Sequence, residues 1–273
     1  MGQLKKILII GATGFVGSNI LQKLHNTYDI HSIIKSHNLD FADLDTVSNV
    51  LEQIKPDVVI NCLTYGQKQL GPNPSLEVAK NISVFYNFLT CSDKFDQFIN
   101  VGSGAEFDRA KNIDCAEEID INKILPKDSY GFAKNLISRS IQYHAEKFIT
   151  LRLFGCFGEN EWPTRLLPKF LHSETALELQ DRYFDYISIQ DFVQIVDYVI
   201  QQRPQVNDIN CVYSDKLKLS EILSLFCKLQ NLVPKFVVTA QSQFNYTGAS
   251  SRLNYYKDQL RLQGLEQGLR DYL

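Results

Sequence analysis

The sequence predicts an α/β protein built on a doubly wound parallel sheet, followed by a smaller mixed lobe, and three observations carry that reading. Short apolar runs alternate with segments of helical length through the first half of the chain. The runs are continuous rather than alternating, as in strands covered on both faces. A glycine-rich turn joins the first run to the first helix.

Each element follows in order. "KKILIIG" reads as a strand, "GFVGSNILQKLHN" as a helix, "DIHSIIKS" as a strand, "DLDTVSNVLEQIK" as a helix and "PDVVINCLT" as a strand. The helix "SLEVAKNISVFYNFLTCSD" and the strand "FDQFINVGS" come next. A polar loop from Glu106 to about Asp128, a helix around Tyr130 and the strand "FITLRLF" complete the unit. This gives a dinucleotide-binding domain over 1–157 and a smaller lobe over 158–273, with a soft boundary that the chain crosses more than once. The lobe is partly helical, from "TRLLPKFLH", "DYISIQDFVQIVDYVIQQ", "LKLSEILSLFCKLQ", "PKFVVTA" and "LEQGLRDYL".

Composition narrows the function. The chain has 273 residues, 44% of them hydrophobic and 22% charged, enough for one sizeable core. Its 28 basic and 31 acidic residues leave a formal charge of -3, which argues against a nucleic-acid or anionic-membrane surface. The N-terminal apolar run is broken by glycine well short of a membrane span, so it reads as a first strand. Six scattered cysteines without a C-x-x-C pair fit reduced thiols in the cytoplasm, and no metal-ligand spacing appears among the histidines.

The chemistry begins at "IIGATGFVG", where Gly11, Gly14 and Gly17 lie between strand and helix. Glycine permits a tight turn and close approach of a pyrophosphate, while the helix N-terminus offers free N–H groups and a favourable dipole. Thr13, Phe15 and Val16 belong to the same turn. The second strand ends in "IIKSHN", with Lys35 and Ser36 where an acid would bind the ribose 2′-hydroxyl of NAD, so NADP(H) is the expected cofactor and NAD(H) the alternative. Asp40 and Phe41 in "LDFAD" are expected near the adenine.

In "SYGFAKN", Tyr130 and Lys134 are four positions apart on a helix and so share a face. A cation beside a phenol favours phenolate, which makes a tyrosine a usable acid or base near neutrality. Ser103 precedes them at the end of a strand.

Taken together, the glycine spacing, the Tyr130–Lys134 pair and Ser103 resemble the extended short-chain dehydrogenase/reductase family, which includes the nucleotide-sugar epimerases, dehydratases and reductases. The resemblance extends through "PDVVINCLT", Asn81, "FINVGSGAEFD", "LRLFGCFG", "RYFDYISIQDFVQIV" and "LEQGLRDYL" and covers nearly the whole chain. It implies a catalytic set of Ser103, Tyr130 and Lys134. It also implies cofactor contacts from Cys62, Leu63, Thr64, Asn81 and Phe154, and substrate contacts from Thr64, Tyr65, Ser103, Gly104, Ala105, Tyr130, Gly155, Arg165 and Arg182. Arg182 is the best candidate to clamp a diphosphate, since a guanidinium matches phosphate oxygens in a bidentate fork, with Arg165 and Lys169 behind it. Trp162 lies in the loop that would cover the pocket, and its expected role is core packing.

Departures from the family pattern select among its activities. The 4,6-dehydratases carry an Asp–Glu pair immediately after the catalytic hydroxyl residue, where this chain has Gly104 and Ala105. Combined epimerase–reductases carry a cysteine and a histidine where Ala105 and approximately Asn160 stand. The family asparagine after "R-x-F" is Gly155. Both a plain reductase and a C4-epimerase require only Ser103, Tyr130, Lys134 and a nicotinamide; the missing acid after the second strand and the short chain favour what the resemblance then implies, an NADPH-dependent reductase for the C4 ketone of a CDP-, dTDP- or GDP-linked 4-keto-6-deoxy or 3,6-dideoxy hexose, in deoxysugar and surface lipopolysaccharide biosynthesis. "CLTYGQ" resembles a segment of the reductases that complete CDP-linked dideoxyhexoses. The alternatives are an NAD-dependent C4-epimerase and a catalytically silent dinucleotide sensor. The resemblance further implies a cytoplasmic homodimer paired through the helix near Ser75 and the Tyr130 helix, whose apolar Leu136, Ile137, Ile141 and Tyr143 exceed one buried stripe.

Overall fold

Six parallel strands form the centre of the protein. The structure, a computed structural model, describes residues 4–33, 39–144 and 146–273, with the backbone alone at 67 and 68. Lys35 and Ser36, on which the choice between NADP and NAD was expected to turn, lie outside the described residues.

The chain begins β1 (Lys6–Ile10), α1 (Phe15–Leu24), β2 (Asp29–Ile33), α2 (Leu44–Ile54), β3 (Val58–Asn61), α3 (Gln67–Leu70), α4 (Pro74–Thr90) and β4 (Gln97–Ser103). It continues with β5 (Ile113–Ala116), α5 (Ser129–Gln142), β6 (Phe148–Leu153), β7 (Cys156–Phe157), α6 (Leu166–His172) and β8 (Leu177–Asp181). After β9 (Ile187–Ser188) come α7 (Ile189–Gln202), β10 (Asp208–Cys211), α8 (Leu219–Gln230), β11 (Phe236–Gln241), β12 (Tyr246–Gly248), α9 (Ser251–Tyr255) and α10 (Gly264–Arg270). The central sheet runs β10-β6-β4-β3-β1-β2, every pair parallel. Its order reverses between β1 and β3, where an open α/β sheet leaves a crevice at the strand ends.

Side-chain alternation explains the unbroken apolar runs. Ile7, Ile9, Val58, Ile60 and Ile99 point to one face, where they pack with Ile20 and Leu24 of α1 and with Phe192, Ile195 and Val199 of α7. Leu8, Ile10, Val59 and Phe98 point to the other, against Val47, Val50 and Leu51 of α2, Phe85 and Phe88 of α4, and Ile137 and Ile141 of α5. Both faces are dry, so both parities are apolar, and each such side chain contributes about 1.5–3 kcal/mol by leaving water. Ile137 and Ile141 are thereby accounted for by the core, leaving Leu136 half-buried and Tyr143 exposed on α5. Side chains start the helices: Asp43 accepts from Thr46 N at α2, Asp128 from Gly131 N at α5 and Ser188 from Asp191 N at α7.

Two expectations need correction. The stretch after Glu106 is not merely a loop, because β5 within it pairs with β12 from the far end of the chain. A division at 157/158 also cuts across the sheet, since its sixth strand is β10 and the helix covering one face is α7. The remaining C-terminal elements build a smaller lobe in which β8 pairs with β11 and α6, α8 and α10 share a core of Leu167, Phe170, Leu223, Phe226 and Leu269.

A buried ion network pins the sheet where the two parts meet. Arg152 on β6 is fully buried and donates to Glu106 at 2.7 Å, to Asn210 at 2.9 Å and to Asp208 at 3.1 Å. Glu106 uses its other oxygen to accept from Ser103 N at 2.8 Å. Removing one partner from such a group strands the remaining charge without water. Glu106→Gln should therefore lower unfolding free energy by about 3 kcal/mol, read as a shift of the urea midpoint; an unchanged midpoint would contradict this account of the network.

Candidate active site

The first glycine turn is shaped for close contact. Gly11 has φ +80, and a Cβ there would lie 2.6 Å from the Cys62 and Leu63 backbone, so the turn presses directly on the end of β3. A Cβ on Gly17 would lie 2.4 Å from Gly11 O, which fixes how close α1 can start. At Gly14 a Cβ would meet only Gly11 O, at 3.5 Å, so this position opens outward. Gly14 is also the N-cap of α1, with no side-chain cap and no acid in the first turn. The free N–H groups there are available to an anion, and these residues fit the pyrophosphate of a dinucleotide.

From that turn a cleft of about 300 Å³ runs along the strand ends. Gly14, Phe15, Val16, Cys62, Thr64, Ser103, Tyr130, Lys134 and Phe154 all line it, bringing together the glycine turn and the Ser–Tyr–Lys set. Lys134 is buried and donates to Val101 O at 2.8 Å, which anchors its ammonium at the end of β4. Ser103 ends β4 and its Oγ accepts from Ala105 N at 3.2 Å. Burial pushes the Cys62 thiol up to about 12, partly offset by Lys134, so it lines the cleft as a neutral group.

A second cleft of about 470 Å³ opens beyond Phe154 and Arg165, which line both. Four cations, Arg109, Arg165, Lys169 and Arg182, surround it, against a single acid, Glu178. The Arg182 Nε atom is buried without a hydrogen-bond partner, and the guanidinium stands 5.6 Å from the Phe184 ring centroid. An unpaired buried N–H of a cation is a ready donor for an incoming anion. Arg165 is oriented by Glu161, which accepts from its Nε at 3.1 Å and from Tyr186 and Tyr272.

Several residues expected at the site stand elsewhere. Gly104 and Ala105 are buried and line neither cleft: a Cβ on Gly104 would lie 2.5 Å from the Phe154 ring and 2.8 Å from the Tyr246 hydroxyl. Gly155 does not face a cleft either, because Phe184, Asp185 and Tyr186 fill the space its side chain would take. Tyr65 turns away from the sugar side, its hydroxyl donating to Asp40 at 2.9 Å. Asp40 is also paired with Lys80, and the Phe41 ring is a core group stacked on Phe88. Leu63 packs in the core, and Asn81 clamps the Tyr65 backbone, accepting from its N at 2.9 Å and donating to its O at 2.8 Å. Thr13 lines a small adjoining hollow with Asn160 and Trp162. Trp162 is not a core residue; it is 51% exposed and borders the first cleft.

Three residues at the site had no signal in the sequence reading. Arg109 lies 5.6 Å from the Tyr130 ring and pairs with Asp128, the cap of the Tyr130 helix, at 2.7 Å. Tyr246 reaches the wall of the second cleft from β12. Asp185 supports that strand, accepting from Gly248 N at 2.7 Å while Lys216 donates to it at 2.8 Å.

The sequence matches the family model described as the NAD dependent epimerase/dehydratase family over residues 7–211. The chain belongs to this family. It is 24% identical over 243 residues to a dTDP-D-glucose 4,6-dehydratase from Dictyostelium discoideum, covering 73% of this chain but 56% of that protein. In fold it is similar to a GDP-L-fucose synthetase from Naegleria fowleri bound to NADP, with TM-score 0.84, 16% identity and coverage of 100% and 92% of the two chains. It is also similar to a dTDP-4-dehydrorhamnose reductase from Bacillus anthracis in complex with NADP, with TM-score 0.79, 15% identity and coverage of 100% and 98%. At such identities the likeness is one of fold.

Burial pushes the Asp185 carboxyl up to about 6, against the opposing pull of Lys216. Its folded-state value thus exceeds the unfolded value of about 3.9, so the folded protein holds this proton more tightly. The stabilisation is full below about pH 4 and is lost as pH rises through about 6, an effect on the order of 2–3 kcal/mol. Denaturant melts between pH 4 and 7 should show this slope in the native chain and a flatter one in Asp185→Asn.

Proposed function

We propose that this chain is an NADPH-dependent oxidoreductase that reduces the C4 ketone of a nucleotide-linked 4-keto-6-deoxy or 3,6-dideoxy hexose, in deoxysugar biosynthesis. The observation that carries the reading is the junction of the clefts: the Ser103, Tyr130 and Lys134 set lies in a cleft fit for a dinucleotide and opens past Phe154 onto one rich in cations. The second cleft suits a nucleoside diphosphate, whose charge would meet Arg165, Lys169 and Arg182. Elimination of water needs an acid and a base beside the ketone, but positions 104 and 105 carry no carboxylate, Gly104 is roofed by Phe154 and Tyr246, and the carboxylate of Glu106 is bound to Arg152 and the Ser103 N–H. Ketone reduction needs neither. Solved relatives in this fold are bound to NADP or to NAD, and the absence of an acid at Lys35 and Ser36 favours NADP(H).

When bound, the reduced nicotinamide supplies the hydride. The α1 N-terminus at Gly14, Phe15 and Val16 would hold the pyrophosphate, and Val101 O keeps Lys134 in place. Tyr130 gives its hydroxyl proton to the ketone oxygen as the carbon becomes an alcohol carbon. Ser103 donates a hydrogen bond to the same oxygen and stabilises its developing charge. Asp128 holds Arg109 over the Tyr130 ring, fixing the substrate side of that tyrosine.

The proposed site of action is the cytoplasm; no helix of the described residues is long and apolar enough to cross a membrane. A homodimer is proposed through the outer faces of α4 and α5, where Leu76, Tyr86 and Tyr143 are exposed and Tyr86 meets Ser140 at 3.0 Å. Sedimentation as a monomer would overturn it.

The central test is a panel of CDP-, dTDP-, GDP- and UDP-linked 4-keto-6-deoxy sugars with NADPH, the products identified by NMR. Turnover of a member to the C4 alcohol is expected; tightly held NAD with C4 inversion and no need for added cofactor would make the protein an epimerase instead. Tyr130→Phe should bind NADPH normally and lose about 10²–10⁴-fold in kcat, and retained activity would refute the role given to the phenol.

A further inference from the structure

The loop between β7 and α6 carries a carboxylate held by donors from its own loop, from just before β9 and from beyond α10. Glu161 Oε1 accepts from Arg165 Nε at 3.1 Å and from the Tyr186 hydroxyl at 2.7 Å, and its Oε2 accepts from the Tyr272 hydroxyl at 3.1 Å. The Glu161 side chain is 1% exposed, so water does not stand in for a lost partner. Both phenols are fixed by packing: the Tyr186 ring lies 4.7 Å from that of Phe157, and the Tyr272 ring meets Phe226 of α8 edge-on at 5.5 Å. On the dinucleotide side the loop is tied to α1, where Asn19 donates to Glu159 O at 2.8 Å. Tyr186 belongs to the wall of the second cleft, whereas Tyr272 lines neither cleft.

From this network we propose that Tyr272 is a positioning residue for the diphosphate of the substrate, acting through Glu161 to hold the Arg165 guanidinium at the junction of the two clefts. This rests on the reading of the second cleft as a nucleoside-diphosphate site. A guanidinium meets phosphate oxygens with a planar fork, so the fork must be aimed before it binds well. Arg165 gives Nε to Glu161 and Nη2 to Cys156 O at 3.1 Å, and among the described residues Nη1 has no protein acceptor. The two fixed bonds set the plane and leave the Nη1 edge for phosphate. Burial pushes the Glu161 carboxyl up, while the two phenols and Arg165 hold it down, so each phenol helps to keep the carboxylate charged opposite the arginine. Without the Tyr272 hydroxyl, Oε2 is a buried acceptor with no partner, and the anchor loosens. An arginine with more rotamers open to it must be ordered by the ligand, which weakens binding and leaves the chemical step alone.

Tyr272→Phe tests this while keeping the ring. In titrations with CDP, dTDP, GDP and UDP, the Kd of the one that the native protein binds most tightly should rise about 3- to 10-fold, while the NADPH Kd stays within about twofold. With a 4-keto sugar nucleotide that the native enzyme reduces, KM should rise by the same factor and kcat should stay within about twofold. In an Arg165→Ala background the same change should cost less than about 1.5-fold, because the hydroxyl then has no guanidinium to aim. An unchanged Kd, a loss that persists without Arg165, or an equal loss in NADPH binding would overturn the proposal. A second measurement needs no ligand: in protein labelled with nitrogen-15, the Arg165 Nε–H signal, assigned by its loss in Arg165→Ala, should move and exchange faster with water in Tyr272→Phe. An unmoved signal overturns the positioning itself. Failure of the native protein to bind any of the four diphosphates refutes the reading of the second cleft instead, and leaves the Nε–H signal to decide the positioning.

Discussion

The site depends on a charge that has no water. Arg152 sits inside the sheet with no exposed surface, and its guanidinium is satisfied by Glu106, just after β4, and by Asp208 and Asn210, both on β10. A buried guanidinium in a low-dielectric interior is tolerated only when its donors are all engaged. That requirement holds the end of β4, β6 and β10 in one arrangement. Glu106, fixed by the arginine, in turn holds the Ser103 backbone N–H, so the serine's position is set by an ion pair it does not belong to.

The same logic of borrowed order recurs around the junction. Lys134 is tied to the Val101 carbonyl, Arg109 to the carboxylate that caps the Tyr130 helix, and Arg165 to Glu161. Each of these three side chains spends a hydrogen bond on a rigid partner, which reduces the reorganisation left to it. Arg182 differs from them, with a buried Nε that has no partner, on the wall of the cation-rich cleft. The aromatic series Phe107, Phe154, Tyr246 and Phe184 packs ring on ring between the clefts. It fills the space that polar side chains at 104 and 155 would otherwise occupy, so the family departures at those positions are two sides of one packing solution.

The family and the central sheet were legible because their signals are local. Continuous apolar runs, the glycine turn and the i, i+4 spacing of Tyr130 and Lys134 need only a few adjacent residues to be read. Placement of the substrate residues was less legible. Tyr65 was expected at the sugar but binds Asp40, Phe41 was expected at the adenine but packs on Phe88, and Trp162 was expected in the core but borders the cleft. In each case the residue type fits either setting, and for Tyr65 and Phe41 the choice was made by a neighbour distant in sequence.

The sequence by itself determined the strand-and-helix rhythm, the glycine turn between β1 and α1, the i, i+4 spacing of Tyr130 and Lys134 and the absence of carboxylates at 104 and 105, because these follow from short-range spacing and residue chemistry. Only the tertiary structure decided that β10 and α7 return to complete the sheet, that Arg109 and Tyr246 join the site, and that Gly104 and Gly155 are roofed by aromatic rings. The physical reason is that these contacts link residues dozens to more than a hundred positions apart. Their formation depends on the competition for buried space and hydrogen-bond partners across the whole core, which no local pattern records.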